Sequence, residues 1–323
     1  MGLSNKCGQK AAASFAAGER KERKMAETKA KTLILDTDIG PDCDDVGALM
    51  MLLKMEKEGL CRLAAITHCT SNPFGCGCID AICRAEGRDD MPIGTLKRGG
   101  VLCGFGDGRY NEVISGLYAN RFSGGEEAPD AVEVLRRTLA ENDEVTLVTI
   151  GPLGNIADLL KSKSDDISPL SGLELARAKC PRMVCMGGQL EGDCREFNFL
   201  IETGATAEVL AMWPTEIVFS VWRTGSDVTT GKTLSQKLGR LHPAALAYAL
   251  HSPRGNASYD QTAAYYAVLP ETPLFTKSAP GWMGILQNGA NTWRFAEEGR
   301  HTYISKACPA EQLAEEIDGW MTR

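Results

Sequence analysis

Short apolar runs alternate with longer segments of helical periodicity along most of the chain. The apolar runs predict strands over residues 32–36, 63–67, 145–150, 183–186 and 216–221. The periodic segments predict helices over residues 46–53, 131–140, 156–161, 205–212, 243–249, 261–268 and 310–321. Such alternation predicts an α/β fold with a mostly parallel central sheet flanked by helices, which binds ligands at the carboxyl ends of its strands.

Length and charge narrow the possible domain organisation and partners. A chain of 323 residues that is 43% hydrophobic allows one large domain, which we assign to residues 31–323. Residues 1–30 lack an apolar segment, so we interpret them as a disordered leader and not as a secretory signal. The net charge of −7 argues against nucleic acid or an anionic membrane surface as a partner. We therefore expect a small-molecule substrate.

The twelve cysteines are scattered along a chain that is too long to need disulfides, which favours a reduced, cytoplasmic protein. The densest group, Cys76, Cys78 and Cys83, lacks a fourth ligand at the spacing of a zinc site. We interpret these three cysteines as small buried residues.

An acidic segment follows the first predicted strand. Residues 36–45 contain five aspartates: Asp36, Asp38, Asp42, Asp44 and Asp45. Carboxylates this close repel one another unless a hard divalent cation binds them through oxygen. The alternative is a solvated turn in which Asp44 and Asp45 complement the dipole of the following helix. The density of carboxylates after an apolar strand favours the cation site.

Five ordered motifs resemble those of the inosine-uridine preferring nucleoside hydrolases. The first joins Asp36-Thr37-Asp38 to Asp44-Asp45-Val46-Gly47-Ala48-Leu49, which resembles the amino-terminal signature of that family. The second motif is residues 64–67 together with Asn72, and the third is residues 149–155. The fourth is residues 186–188 together with residues 196–198, and the fifth is residues 258–262. The resemblance implies Ca²⁺-dependent hydrolysis of the N-glycosidic bond of ribonucleosides, a role in purine or pyrimidine salvage, and a homodimer or homotetramer.

The resemblance also implies a set of site residues. Ca²⁺ would be held by three carboxylates and one main-chain carbonyl, those of Asp38, Asp45, Asp260 and Ile150. Asp44 would be the general base that accepts a proton from water. The sugar contacts would come from Asn72, Met186, Glu196 and Asn198, and Tyr259 would add a stacking surface for the substrate.

The sequence departs from the family pattern in the acidic segment and before the last aspartate. The segment between Asp38 and Asp44 is two residues longer than in common members, so Asp42 is an alternative partner of the water. Tyr259 stands where many members have a histidine that protonates the leaving base, and His251 is the nearest alternative acid. Asp193 is a candidate contact for the ribose 5′-hydroxyl, and Glu202 stands where related sequences often have Asp. Four residues are candidates for a base pocket: Trp222, Arg223, Trp282 and Trp293.

Two other hypotheses explain part of the sequence. The run ending in Asp36 and Asp38 also suggests the haloacid-dehalogenase-like Mg²⁺ phosphatases, in which the first Asp is a nucleophile, but Gly40 stands where that motif has Thr or Val. The altered acidic segment and the missing histidine instead suggest a ribose-binding or nucleoside-binding protein of the same fold with little or no hydrolysis.

Overall fold

The computed structural model describes residues 30–102, 110–122, 124, 127–190 and 195–323. The predicted leader, apart from residue 30, and the candidate Asp193 lie outside these described residues. The strands are Lys31–Thr37 (β1), Cys61–His68 (β2), Ile93–Thr95 (β3), Val145–Thr149 (β4), Arg182–Met186 (β5), Glu216–Ser220 (β6), Thr229–Thr230 (β7), Asn256–Ala257 (β8), Phe275–Lys277 (β9), Gly281–Ile285 (β10), Asn291–Phe295 (β11) and His301–Lys306 (β12).

Helices alternate with these strands over most of the described chain. They are Asp44–Lys57 (α1), Gly75–Ala85 (α2), Tyr110–Leu117 (α3), Ala131–Glu141 (α4), Gly154–Lys161 (α5), Gly172–Lys179 (α6), Phe197–Ile201 (α7), Thr203–Met212 (α8), Trp222–Gly225 (α9), Leu234–Lys237 (α10), Pro243–His251 (α11), Tyr259–Val268 (α12) and Ala310–Met321 (α13). Every strand and helix predicted from periodicity is present.

The central sheet is mostly parallel, as predicted. Its strands lie in the order β11-β10-β12-β6-β5-β4-β1-β2-β3, and β9 pairs with β12. In this order, each strand from β12 through β6, β5, β4, β1 and β2 to β3 is parallel to the next. In β1, Leu33 and Leu35 pack with the helices of one face, whereas Ile34 belongs to the apolar cluster of the other face. Side chains alternate across a strand, so helices on both faces explain why β1 is apolar at consecutive positions.

The carboxyl-terminal part of the sheet was not predicted. Strands β9, β10 and β11 are antiparallel to their neighbours, and β10 and β11 carry several exposed or half-buried residues. A strand that is solvated on one face shows a weaker apolar run than one buried on both faces. Strand β12 extends the parallel sheet through its pairing with β6.

The described cysteines agree with a further prediction. All nine cysteines that the structure describes are free, and Cys76, Cys78 and Cys83 are buried in α2. Within the described ranges, no helix combines the length and the apolar character that crossing a membrane requires.

Candidate functional site

A cavity of about 310 Å³ opens at the carboxyl ends of the parallel strands. Its walls come from the acidic segment after β1, the residues that end β4 and β5, the start of α7, and the region where α9 meets α12. Parallel strands end at a common edge, so residues far apart in sequence meet there. The lining includes eight residues predicted from sequence: Asp38, Asp44, Ile150, Met186, Glu196, Asn198, Tyr259 and Asp260.

Asp38 and Ile150 reach the cavity because two strand ends approach each other closely. The N–H of Ile150 donates to the main-chain oxygen of Asp36 at 2.8 Å. At Gly151, an added Cβ would lie 2.6 Å from Cys69 Sγ and 2.9 Å from Asp38 Cβ. A glycine at this turn therefore permits the contact between the ends of β1 and β4.

Asp44 and Asp45 lie in the first turn of α1, where the helix dipole favours negative charge. Asp44 Oδ2 accepts a hydrogen bond from the N–H of Asp260 at 3.1 Å, and its Oδ1 accepts one from Asn256 Nδ2 at 3.3 Å. Asp45 Oδ1 accepts from the hydroxyl of Thr37. Asp45 Oδ2 is buried and has no hydrogen-bond partner among the described residues.

Asp260 completes the acidic floor from the first turn of α12. It is 4% exposed, as is Asp38, while Asp44 and Asp45 are 1% exposed. The start of α12 packs closely on α9 at Gly225, where an added Cβ would lie only 2.4 Å from the main-chain oxygen of Ser258. Four aspartates from three segments thus share one desolvated region.

Without a bound cation, burial makes these four carboxyls weaker acids than usual. Desolvation raises the pKa of Asp38 well above its usual range, and the charges of Asp42 and Asp44 raise it further. The pKa values of Asp44, Asp45 and Asp260 are also raised, first by burial and then by neighbouring carboxylates. A group of buried like charges with raised pKa values is an arrangement that a bound cation stabilises.

Glu196 and Asn198 form a second polar wall at the start of α7. Glu196 accepts hydrogen bonds from the N–H groups of Gly188, Asn198 and Phe199, at 2.9–3.2 Å. Asn198 Nδ2 lies 3.3 Å from the main-chain oxygen of Met186 and 3.4 Å from that of Ile150. Burial raises the pKa of Glu196, although these N–H groups oppose the shift. Both side chains are therefore held in fixed orientations toward the cavity.

The mouth of the cavity is aromatic. The rings of Trp222 and Tyr259 stack with centroids 6.0 Å apart and an interplanar angle of 26°. Trp222 is 39% exposed and Phe197 is 42% exposed, in contrast to the buried floor. Asp42 also lines this opening and is half-buried. The cavity thus combines an acidic floor with apolar rings at its entrance.

Three comparisons with known proteins bear on this arrangement. The family model described as inosine-uridine preferring nucleoside hydrolase matches residues 33–303. The chain belongs to this family. The family consists of metal-dependent N-ribosyl hydrolases. No curated protein matches the sequence significantly.

Solved nucleoside hydrolases share the fold at low sequence identity. The inosine-uridine preferring nucleoside hydrolase from Bacillus anthracis is 15% identical with a TM-score of 0.69, and the alignment covers 90% of this chain and 99% of that one. The purine-preferring ribonucleoside hydrolase from Gardnerella vaginalis is 17% identical with a TM-score of 0.64, over the same shares of the two chains. These likenesses confirm the predicted α/β fold class.

The phosphatase hypothesis is wrong for this nucleoside hydrolase. It requires Asp36 as an exposed nucleophile, but Asp36 is fully buried behind the acidic floor. Its Oδ1 accepts hydrogen bonds from Thr67 Oγ1 at 2.5 Å and from Asn155 Nδ2 at 2.8 Å. These bonds make the Asp36 side chain a structural link between β1, β2 and α5. Burial raises its pKa to about 7.

Some candidates from the sequence lie away from the cavity lining. Asn72 Oδ1 accepts from the N–H of Phe74 at 2.9 Å, which closes a turn before α2, and its contact with sugar remains a prediction. His251 packs edge-on against Tyr110 with ring centroids 5.9 Å apart. Trp282 and Trp293 contact His301 and Tyr303 in the sheet. Of the three candidate tryptophans, only Trp222 therefore lines the cavity.

Phe197 and Asn256 have roles at the site that were not predicted from the sequence. Phe197 forms part of the rim, and Asn256 holds Asp44 although 212 residues separate them. Phe197 lies between two predicted sugar contacts, Glu196 and Asn198, so its position in the sequence could have indicated that it lies at the site. Nothing local to Asn256 indicates its role, because the contact exists only in the folded chain.

Proposed function

We propose that the protein hydrolyses the N-glycosidic bond of ribonucleosides to ribose and free base in a Ca²⁺-dependent reaction. The observation that carries the proposal is a single cavity lined by buried carboxylates on one side and fixed hydrogen-bonding groups on the other, in a chain of this family. A ribose has hydroxyls for both walls, and its base extends toward the aromatic mouth.

The carboxylate cluster fits a hard cation. Asp45 Oδ2 is buried without a partner, and the other floor carboxyls have pKa values raised by burial and mutual repulsion. Carboxylate and carbonyl oxygens suit Ca²⁺, which takes six to eight oxygen ligands, water molecules among them. We propose Asp38, Asp45, Asp260 and the carbonyl of Ile150 as its protein ligands.

One geometric feature favours a different ligand set. Carboxylate oxygens of Asp42, Asp44 and Asp45 lie within 4.8 Å of one another, a spacing that suits a metal. We retain the first set because both oxygens of Asp44 already accept hydrogen bonds, whereas Asp42 is half-buried near the mouth. The effect of Asp42→Asn on calcium-dependent stabilisation distinguishes the two sets.

Asp44 is proposed as the general base. When bound, Ca²⁺ supplies positive charge that lowers the pKa of a neighbouring water. Asp44 accepts the proton of the attacking water, and its hydrogen bonds from Asp260 and Asn256 fix the direction of its carboxylate. Positive charge develops at the anomeric carbon as the C–N bond breaks, and the surrounding carboxylates stabilise it.

Glu196, Asn198 and Met186 are proposed to hold the ribose in the reactive orientation. Each N–H group that fixes Glu196 restricts the side chain before substrate arrives, which lowers the entropy cost of binding. Residues at the rim, including Trp222, then exclude water from the sugar once the base is bound.

A comparison of inosine with 2′-deoxyinosine tests this proposal. Sites that hydrogen-bond a substrate hydroxyl discriminate strongly against the analogue that lacks it, so we expect kcat/KM for 2′-deoxyinosine to be lower by about 10²-fold or more. Free-base release is measured by chromatography with the calcium-loaded protein. Equal hydrolysis of both nucleosides would contradict the proposed contacts with the ribose hydroxyls. Tight ribose binding without base release from either would favour the binding-protein hypothesis.

A further inference from the structure

The aromatic mouth of the cavity provides a flat surface for the leaving base. Trp222 and Tyr259 lie nearly parallel, and they border a floor whose aspartates are almost fully buried. A planar heterocycle that leaves the ribose toward solvent contacts these rings first. Aromatic faces carry negative electrostatic potential and attract cations, so the surface favours a positively charged ring over a neutral one.

The charge of the lining favours a cation in the same way. Five of the twelve lining residues are acidic, and no Lys, Arg or His occurs among the described residues that line the cavity. Asp42 adds a carboxylate at the mouth beyond the proposed metal ligands. A divalent cation offsets only part of this charge. The remaining negative potential attracts a cationic substrate and opposes an anionic one.

The described lining also lacks an imidazole that donates a proton to the leaving base. His68 and His301 are buried in the sheet, His242 faces Glu86, and His251 packs on Tyr110. The Tyr259 phenol lies at the mouth, where its ring stacks on that of Trp222. Departure of a neutral purine or pyrimidine needs such a proton, because otherwise the base leaves as an anion.

We propose that the preferred substrates are ribosides whose base carries a fixed positive charge, the N-ribosylpyridinium class. This inference rests on the proposed hydrolase function. The oxygen of water forms a bond to the anomeric carbon, and Asp44 takes the proton of that water. The C–N bond breaks, and its electron pair neutralises the ring nitrogen. The base leaves as a neutral pyridine and needs no proton.

Three substrates test the inference with the calcium-loaded, full-length protein. Nicotinamide riboside has a cationic leaving group, inosine has a neutral one, and p-nitrophenyl β-D-ribofuranoside has one that leaves as an anion without a proton. We expect kcat/KM for nicotinamide riboside to exceed that for inosine by about 10²-fold, the lower end of what general acid catalysis contributes. The p-nitrophenyl riboside reports whether the hydrolytic residues act at all.

The outcomes separate this inference from the proposed function. Cleavage of p-nitrophenyl riboside together with equal or better hydrolysis of inosine than of nicotinamide riboside would overturn the inference and leave the hydrolase function standing. No cleavage of any of the three would overturn both.

The variant Asp42→Asn separates charge recognition from the intrinsic reactivity of a pyridinium riboside. It removes one negative charge at the mouth with little change of shape, so the ratio of kcat/KM for nicotinamide riboside to that for inosine should fall by about fivefold to tenfold. Asp158→Asn, a matched change of an ion-paired surface residue, should leave the ratio unchanged. An equal ratio in wild type and Asp42→Asn would overturn the inference.

Discussion

Replacing Asp44 by Asn is expected to lower kcat for ribonucleoside hydrolysis by about 10³-fold, within the range for loss of a general base. Asn keeps the shape of the side chain and still accepts a hydrogen bond from the N–H of Asp260, but it does not accept a proton from water. Because we assign Asp44 to proton transfer and not to the cation, KM and calcium affinity should change little. Steady-state assays and calcium titration measure these quantities.

Asp42→Asn is the matched control for this prediction. Asp42 lies two residues before Asp44, and both line the cavity. If Asp44 is the base, Asp42→Asn should reduce kcat for inosine by less than about tenfold, as expected for a change of nearby charge alone. A loss of about 10³-fold in Asp42→Asn, with Asp44→Asn nearly as active as wild type, would identify Asp42 as the general base.

Asp45→Asn is expected to abolish calcium-dependent stabilisation. Asp45 has a buried Oδ2 without a partner among the described residues, and its pKa is raised by burial and by Asp38. A ligand at 100 times its Kd stabilises a protein by about 2.7 kcal/mol, so wild type should show a clear rise of Tm with calcium that the variant lacks. Without calcium the variant should be as stable as wild type or more so, because one buried like charge is removed.

Thermal unfolding with and without calcium measures both parts of the prediction for Asp45. Asp42→Asn again serves as the control and should keep most of the calcium-induced rise in Tm. Disappearance of the rise in Asp42→Asn would favour the set of Asp42, Asp44 and Asp45 over the proposed ligand set. An undiminished rise in Asp45→Asn would contradict both sets, because Asp45 belongs to each. Circular dichroism at 25 °C establishes that each variant is folded.

The parallel part of the fold was predictable because its strands are buried on both faces. The runs ending at Asp36, Ile150 and Met186 are apolar at consecutive positions. Each run ends at or next to a residue of the cavity lining, namely Asp38, Ile150 and Met186. The sequence therefore indicated both the sheet and the edge that carries the chemistry. Strands β10 and β11 have solvated faces and lie after the last family motif, so neither periodicity nor resemblance indicated them.

The acidic floor was predictable for a similar reason, since most of its aspartates lie close together in one segment. The sequence did not reveal how the carboxylates are held. Asn256 approaches Asp44 only after α12 packs against α1, and Trp222 meets Tyr259 only where α9 contacts α12. Such pairings depend on tertiary contacts between elements far apart in the chain, and a single sequence does not indicate which distant elements meet.

The most direct test of the central claim is reducing-sugar release from a panel of ribosides by wild-type protein before chelation, after chelation and after calcium is restored. The panel contains inosine, adenosine, guanosine, uridine, cytidine and nicotinamide riboside. We predict release from at least one of these substrates, loss of that release after chelation, and its recovery with Ca²⁺. Release that is unaffected by complete removal of bound metal, or no release by folded protein with calcium bound, would contradict the account.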